Sequence, residues 1–131
     1  LAFDMSSTCL RHGDFWPGNL LWEQGQCTAI VDWENALTGP PTADLAISRL
    51  DVAWILGWEA MTEFTARYEE ALGAPAQHLA YWDLRAALRP MKNLPEWVAP
   101  YAALHREDIT ASHLEKILLE FIDQALRAAA S

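Results

Sequence analysis

The 131-residue chain, a length that fits one domain, carries 18 acidic against 9 basic side chains, a formal charge of −9, and 52% hydrophobic residues. That balance excludes global disorder and argues against a broad nucleic-acid footprint, which would need clustered Lys and Arg. No window reaches the roughly 18–20 apolar residues of a membrane span and no basic-then-apolar signal peptide is visible, so a cytoplasmic protein with neither a membrane nor a nucleic-acid partner is expected.

The chain opens Leu1-Ala2-Phe3-Asp4 without an initiator Met, so its natural start is expected to lie further upstream. Thr8-Cys9-Leu10-Arg11 reads as a short strand entering a loop at His12. Asn19-Leu20-Leu21-Trp22 is a compact apolar run, Glu23-Gln24-Gly25-Gln26 a turn, and Cys27 to Trp33 a β-branched and aromatic run. Together they predict a hairpin. Cys9 and Cys27 lack metal-ligand neighbours and CxxC spacing, and are expected as reduced, partly buried thiols.

Gly39-Pro40-Pro41 forces a loop, and from Thr42 the period becomes helical. Ile47, Leu50, Trp54 and Trp58 form one stripe, with Leu45, Val52 and Leu56 covering much of the remainder, which is the pattern of a buried helix. Met61, Phe64, Tyr68, Ala71 and Leu72 form a second stripe that stops at Gly73 and Pro75. A third segment begins near Ala76 and is expected to break or kink at Arg89-Pro90. Between Pro90 and Pro100 irregular turns are expected. Ser112 and Glu115 suggest a capping box for a last helix that buries Leu114, Ile117, Leu118, Phe121, Ile122 and Ala125. The fold class is therefore mainly α with a small β-hairpin, in one unit of 131 residues: a hairpin region at 8–44 and a helical region at 45–131. Seven Trp need a core or a partner to cover them.

The chemistry concentrates in the hairpin region. Asp14, Asn19 and Asp32 supply three oxygen donors at spacings of five and thirteen. Pro17-Gly18 makes a tight turn between the first two, so both can face one cavity. Two carboxylates and a carboxamide suit Mg-dependent phosphoryl transfer, in which one group orients the attacking hydroxyl and the others hold the metal. Asp32, at the end of an apolar strand, costs free energy unless it meets a cation or several donors. His12 is expected to hold the loop through its ring nitrogens rather than act as base or ligand, and Asp44 to cap or brace at the start of the buried helix. Glu34 is either a substrate contact or a solvated residue beyond the strand.

His12-Gly13-Asp14-x4-Asn19 followed by Ile30-Val31-Asp32-Trp33-Glu34 resembles the aminoglycoside phosphotransferase and choline kinase group, which is similar to protein kinases. Gly39-Pro40-Pro41-x2-Asp44-Leu45-Ala46 continues the likeness, which spans roughly Cys9 to Ala46. The resemblance implies a protein-kinase-like fold of which this chain is the carboxy-terminal helical lobe. It also implies transfer of the γ-phosphoryl group of ATP, with Mg, to a hydroxyl of a small-molecule acceptor. By resemblance Asp14 is the catalytic base, Asn19 and Asp32 bind Mg, and Asp44 braces the catalytic loop. An aminoglycoside-type acceptor is the first choice, and choline, a sugar or a homoserine-like alcohol are the others.

Trp16 stands where the family often has His, and Gly39-Pro40 where Gly-Asp is more usual. No glycine-rich loop, nucleotide-gripping Lys or partner Glu precedes His12, so the amino-terminal lobe of such enzymes is missing from this sequence. The isolated chain is then expected to be inactive and prone to self-association. A non-catalytic or partner-dependent module is the alternative reading. A metal-dependent phosphohydrolase built on His12, Asp14, Asp32 and Glu34 would recruit more His ligands than this spacing provides.

Overall fold

The computed structural model describes residues 8–131, which leaves the opening Leu-Ala-Phe-Asp outside the described residues. Among them are two two-stranded antiparallel sheets and five α-helices, so the chain is mainly α with a small β component. Strand β1 (Cys9–Arg11) pairs with β4 (Leu37–Gly39), Arg11 opposite Leu37. Between them the hairpin of β2 (Leu20–Glu23) and β3 (Gln26–Ile30) forms with Leu20 opposite Ile30 and an irregularity after Leu21. A single hairpin was expected from the sequence. The second sheet was missed because its strands are three residues long and its partners lie far apart in the chain.

The helices are α1 (Thr42–Leu56), α2 (Trp58–Leu72), α3 (Leu79–Met91), α4 (Ala99–Ala103) and α5 (Ala111–Ala130). Helix α1 is the centre of the fold. It is apolar on nearly every side, and eleven of its fifteen residues are buried because α2, α3 and α5 all pack against it. Leu50, Ala53 and Trp54 of α1 join Leu114, Leu118 and Phe121 of α5 in the main core. Trp54 is 1% exposed, and its indole N–H donates to the carbonyl of Leu114 at 3.1 Å, so the ring is buried without an orphaned donor.

Gly57 divides the first expected stripe. At φ +92° it closes α1 and opens α2, which places Trp58 on the second helix and leaves Leu56 exposed. Gly73, at φ +74°, ends α2 as expected, its N–H bonding the carbonyls of Glu69 and Glu70. The expected break at Arg89-Pro90 is corrected: Pro90 is buried in the last turn of α3, and the helix runs one residue beyond it before ending. Without an N–H, Pro90 cannot donate back to the carbonyl of Ala86, and the helix ends within one residue of it. The stretch up to Pro100 is a 3-10 turn (Leu94–Trp97) leading into α4, in keeping with the irregular structure expected.

The capping box at Ser112 and Glu115 is also corrected. Thr110 is the N-cap of α5, its hydroxyl accepting the N–H of His113 at 3.2 Å, so the cap lies two residues before Ser112 and the helix begins at Ala111. Cys9 and Cys27 are exposed thiols on different sheets rather than partly buried ones.

One buried ion pair locks the helices together. Arg49 of α1 meets Asp83 of α3 through two bonds of 3.0 and 3.1 Å, reaches the hydroxyl of Thr65 on α2, and lies 5.9 Å from the Phe121 ring of α5. Burial outweighs the guanidinium and holds Asp83 up at about 6.

Candidate active site

Arg11 ends β1, and the chain turns sharply through His12 and Gly13 to present Asp14. Asp44, in the first turn of α1, holds that turn. It accepts Arg11 Nε at 3.1 Å, the backbone N–H of His12 at 2.6 Å and that of Gly13 at 3.2 Å. A carboxylate engaged by a guanidinium and two amides is satisfied in place, and it ties the loop to the central helix. Asp44 is thus a bracing residue within α1 rather than its N-cap, which is Pro41. Ser48, one turn on, donates to the carbonyls of Phe15 at 2.6 Å and Asp44 at 3.0 Å.

His12 is 3% exposed and links the two halves of the site. Its Nδ1 accepts the N–H of Asp14 at 3.2 Å, which places the proton on Nε2, and Nε2 donates to the carbonyl of Val31 at 2.8 Å. The ring also lies against Trp33, centroids 4.6 Å apart. With both nitrogens committed to backbone, His12 holds the loop and has no lone pair left for a metal.

Gly13 sits at φ +84°, and a β-carbon there would collide with the carbonyl of Asn35. Gly13→Ala is therefore expected to cost about 2 kcal/mol or more, from the left-handed backbone and the clash together, measured by denaturant unfolding. An unchanged midpoint would show that the turn is not needed.

The 3-10 turn Pro17–Asn19 turns the chain back so that Asn19, buried, reaches under the loop. Its Nδ2 donates to the carbonyl of Asp14 at 2.9 Å, which turns Oδ1 the other way, and its backbone carbonyl accepts Val31 N–H at 3.0 Å. Asp32 lies two residues beyond β3, with φ +65° and ψ +56°, in the left-handed region that Asp enters more readily than most residues. It is exposed, so the cost expected for a buried carboxylate at a strand end does not arise.

Asp14, Asn19 and Asp32 line one cavity of about 460 Å³. Glu34, exposed in the next 3-10 turn, is not among its lining residues. Among the described residues no three His, Cys, Asp or Glu side chains gather to hold a metal, so a cation here would depend on the Asn19 carboxamide beside the two carboxylates. An all-oxygen set of that kind fits Mg, which keeps several waters and takes further oxygens from phosphates.

The far wall of the cavity was not anticipated. Asp51 of α1 is 5% exposed and accepts the Tyr101 hydroxyl at 3.3 Å. Burial, reinforced by Asp14 and opposed by Arg89 and Tyr101, pushes its carboxyl up to about 7. Burial next to Asp51 likewise raises the Tyr101 phenol. Arg89, in the last turn of α3, donates from Nη2 to Asp14 Oδ1 at 3.0 Å and lies 5.4 Å from the Trp97 ring. Glu96, Trp97 and Trp16 complete much of the rim. A sequence signal for Asp51 did exist: Asp44, Ser48 and Asp51 stand at i, i+4 and i+7, a polar line on an otherwise buried helix. Arg89 carries no such signal, since its contact with Asp14 spans 75 positions.

The hygromycin-B 4-O-kinase of Escherichia coli is 33% identical over 67 residues, which take in 50% of this chain and 20% of that relative's length. No solved structure matches the chain significantly. The profile of the phosphotransferase enzyme family matches residues 4–90, a span that contains β1, the loop, both sheets, α1, α2 and nearly all of α3. The chain belongs to the phosphotransferase enzyme family.

Proposed function

We propose that this chain forms the acceptor and metal side of a kinase that moves the γ-phosphoryl group of ATP to a hydroxyl of a small molecule. The observation that carries the reading is the convergence of Asp14, Asn19 and Asp32 on one cavity at the end of a loop braced by His12 and Asp44. When bound between Asn19 and Asp32, Mg would neutralise charge on the phosphates. Asp14 would accept the proton of the acceptor hydroxyl. As the new acceptor O–P bond forms, the bond from the γ-phosphorus to the bridging oxygen breaks, and ADP leaves with that oxygen.

An aminoglycoside-type acceptor is favoured by the likeness to a hygromycin-B kinase and by the sign of the cavity. Asp14, Asp32 and Glu96 line it against a single guanidinium, a field that draws polycationic molecules. The same reading includes a cytoplasmic setting, and among the described residues no helix is long and apolar enough to cross a membrane.

A partner-dependent module is supported by one observation. Leu10, Leu21, Trp22, Ile30, Trp33 and Leu37, all on or beside the two sheets, are exposed. A nucleotide-gripping segment packed against these strands would cover such residues, and without it the chain would self-associate.

Labelled ATP, Mg and a panel of aminoglycosides and choline test both statements. Transfer to an aminoglycoside is expected once an amino-terminal nucleotide-gripping segment is joined to the chain, with negligible transfer by the 131 residues alone. No transfer by the joined protein to any acceptor would contradict the kinase reading. Robust transfer by the isolated chain would contradict its partner dependence.

A further inference from the structure

Arg89 is the cavity residue that the acceptor chemistry leaves without a task. It comes from the end of α3, and its guanidinium is anchored on two sides, by the Asp14 carboxylate at 3.0 Å and by the Trp97 ring at 5.4 Å. The anchoring is economical in donors. Asp14 takes one N–H of the fork, and the aromatic face holds the charge without taking any. The side chain is one-third exposed, so the remaining N–H groups have access to the cavity that Arg89 lines. It is also the sole cation among the lining residues, set against the carboxylates of Asp14, Asp32 and Glu96. A phosphate entering such a cavity is repelled on most sides, and a fork of N–H donors matched to phosphate oxygens stands beside the carboxylate where transfer would occur.

We propose that Arg89 is a phosphate-contacting residue, resting on Asp14 when the cavity is free and binding an oxygen of the transferring phosphoryl group when it is filled. The inference builds on the kinase reading, and it adds a residue from the helical region to a site otherwise made by residues 12–44. A guanidinium there would gather the negative charge that spreads over the equatorial oxygens in the transition state. Resting on Asp14 has a second consequence. Asp14 and phosphate compete for the same guanidinium, so the carboxylate lowers phosphate affinity through Arg89 as well as by direct repulsion.

That competition separates a phosphate contact from a strut that only ties α3 to the loop. Binding of magnesium pyrophosphate to the purified chain would be followed by phosphorus NMR at fixed excess Mg, with each variant checked for a cooperative thermal melt. Arg89→Gln is expected to weaken binding by about tenfold or more, the loss of a charge-assisted bond, and Arg89→Lys to recover part of that loss. Asp14→Asn is expected to strengthen binding, and most of that gain should vanish in the Asp14→Asn, Arg89→Gln double variant. Equal pyrophosphate affinity in wild type and Arg89→Gln would overturn the proposal. So would a gain from Asp14→Asn that is the same with and without Arg89, or no measurable binding by the wild type. Arg89-dependent binding in a protein that transfers phosphate to no acceptor would sustain the proposal while removing the kinase reading.

Discussion

Asp14→Asn, in a protein that joins this chain to a nucleotide-gripping segment, is expected to lower turnover by about 10²–10⁴-fold while Mg-dependent nucleotide binding is retained or strengthened. The amide is the same size as the carboxylate and its oxygen can still accept from Arg89, so the loop should keep its shape. What the amide cannot do is take the acceptor's proton. Asp32→Ala should show the opposite split, weakening Mg-nucleotide binding first, because on the proposed reading Asp32 would hold the metal rather than meet the hydroxyl. Its exposed position makes truncation cheap for the fold, so the loss can be read as a loss of binding. Measuring kcat and the Mg-ATP dissociation constant for both variants decides the matter. Equal losses of nucleotide affinity would show that the two roles are wrongly divided.

Asp51→Asn is expected to stabilise the chain at neutral and alkaline pH. The carboxyl titrates at about 7 in the fold against 3.8 for the free group, so the folded state keeps a proton that the unfolded state releases. A raised value of this kind contributes stability that is complete below about pH 4 and lost as pH rises through about 7. Asn mimics the protonated acid, and its oxygen can still accept from the Tyr101 hydroxyl. The variant should therefore match the wild type near pH 4 and exceed it by up to roughly 4 kcal/mol near pH 8. Paired denaturant titrations at the two pH values provide the check, and a difference that does not change with pH would contradict the buried, proton-holding Asp51.

The residues of the loop were legible because their chemistry is local. His12 to Asn19 and Asp32 lie within one short span, and the turn residues between them fix which way the chain bends. Helix α1 could be read from its composition alone, since a helix that is apolar all round has no exposed face to present. The errors fall where a local signal competes with a tertiary one. Ser112 and Glu115 satisfy a capping pattern, yet Thr110 caps α5 because the chain enters the helix earlier, beside the buried Ile109. Pro90 reads as a breaker, yet a buried site at the end of α3 accepts it. The exposure of Cys9 and Cys27 follows from small sheets whose strands pack mainly against each other, with little laid over their faces. Arg89 joins the site only through the packing of α3 against the loop, which no periodicity reports, whereas Asp51 stands in the polar line with Asp44 and Ser48 on α1.

The central claim is that Asn19 and Asp32 hold one divalent cation beside Asp14 in the cavity that all three line. Titrating Mn²⁺ into the isotope-labelled chain and following paramagnetic broadening by NMR tests it without requiring turnover. The Asn19 side-chain amide and the backbone signals of Asp14 and Asp32 should broaden first, ahead of exposed acidic pairs such as Glu63 and Glu70 on α2. Asp32→Ala should abolish that selectivity, and excess Mg should reverse the broadening. Broadening spread evenly over the acidic surface, or selective broadening at Asn19 that survives Asp32→Ala, would contradict the account.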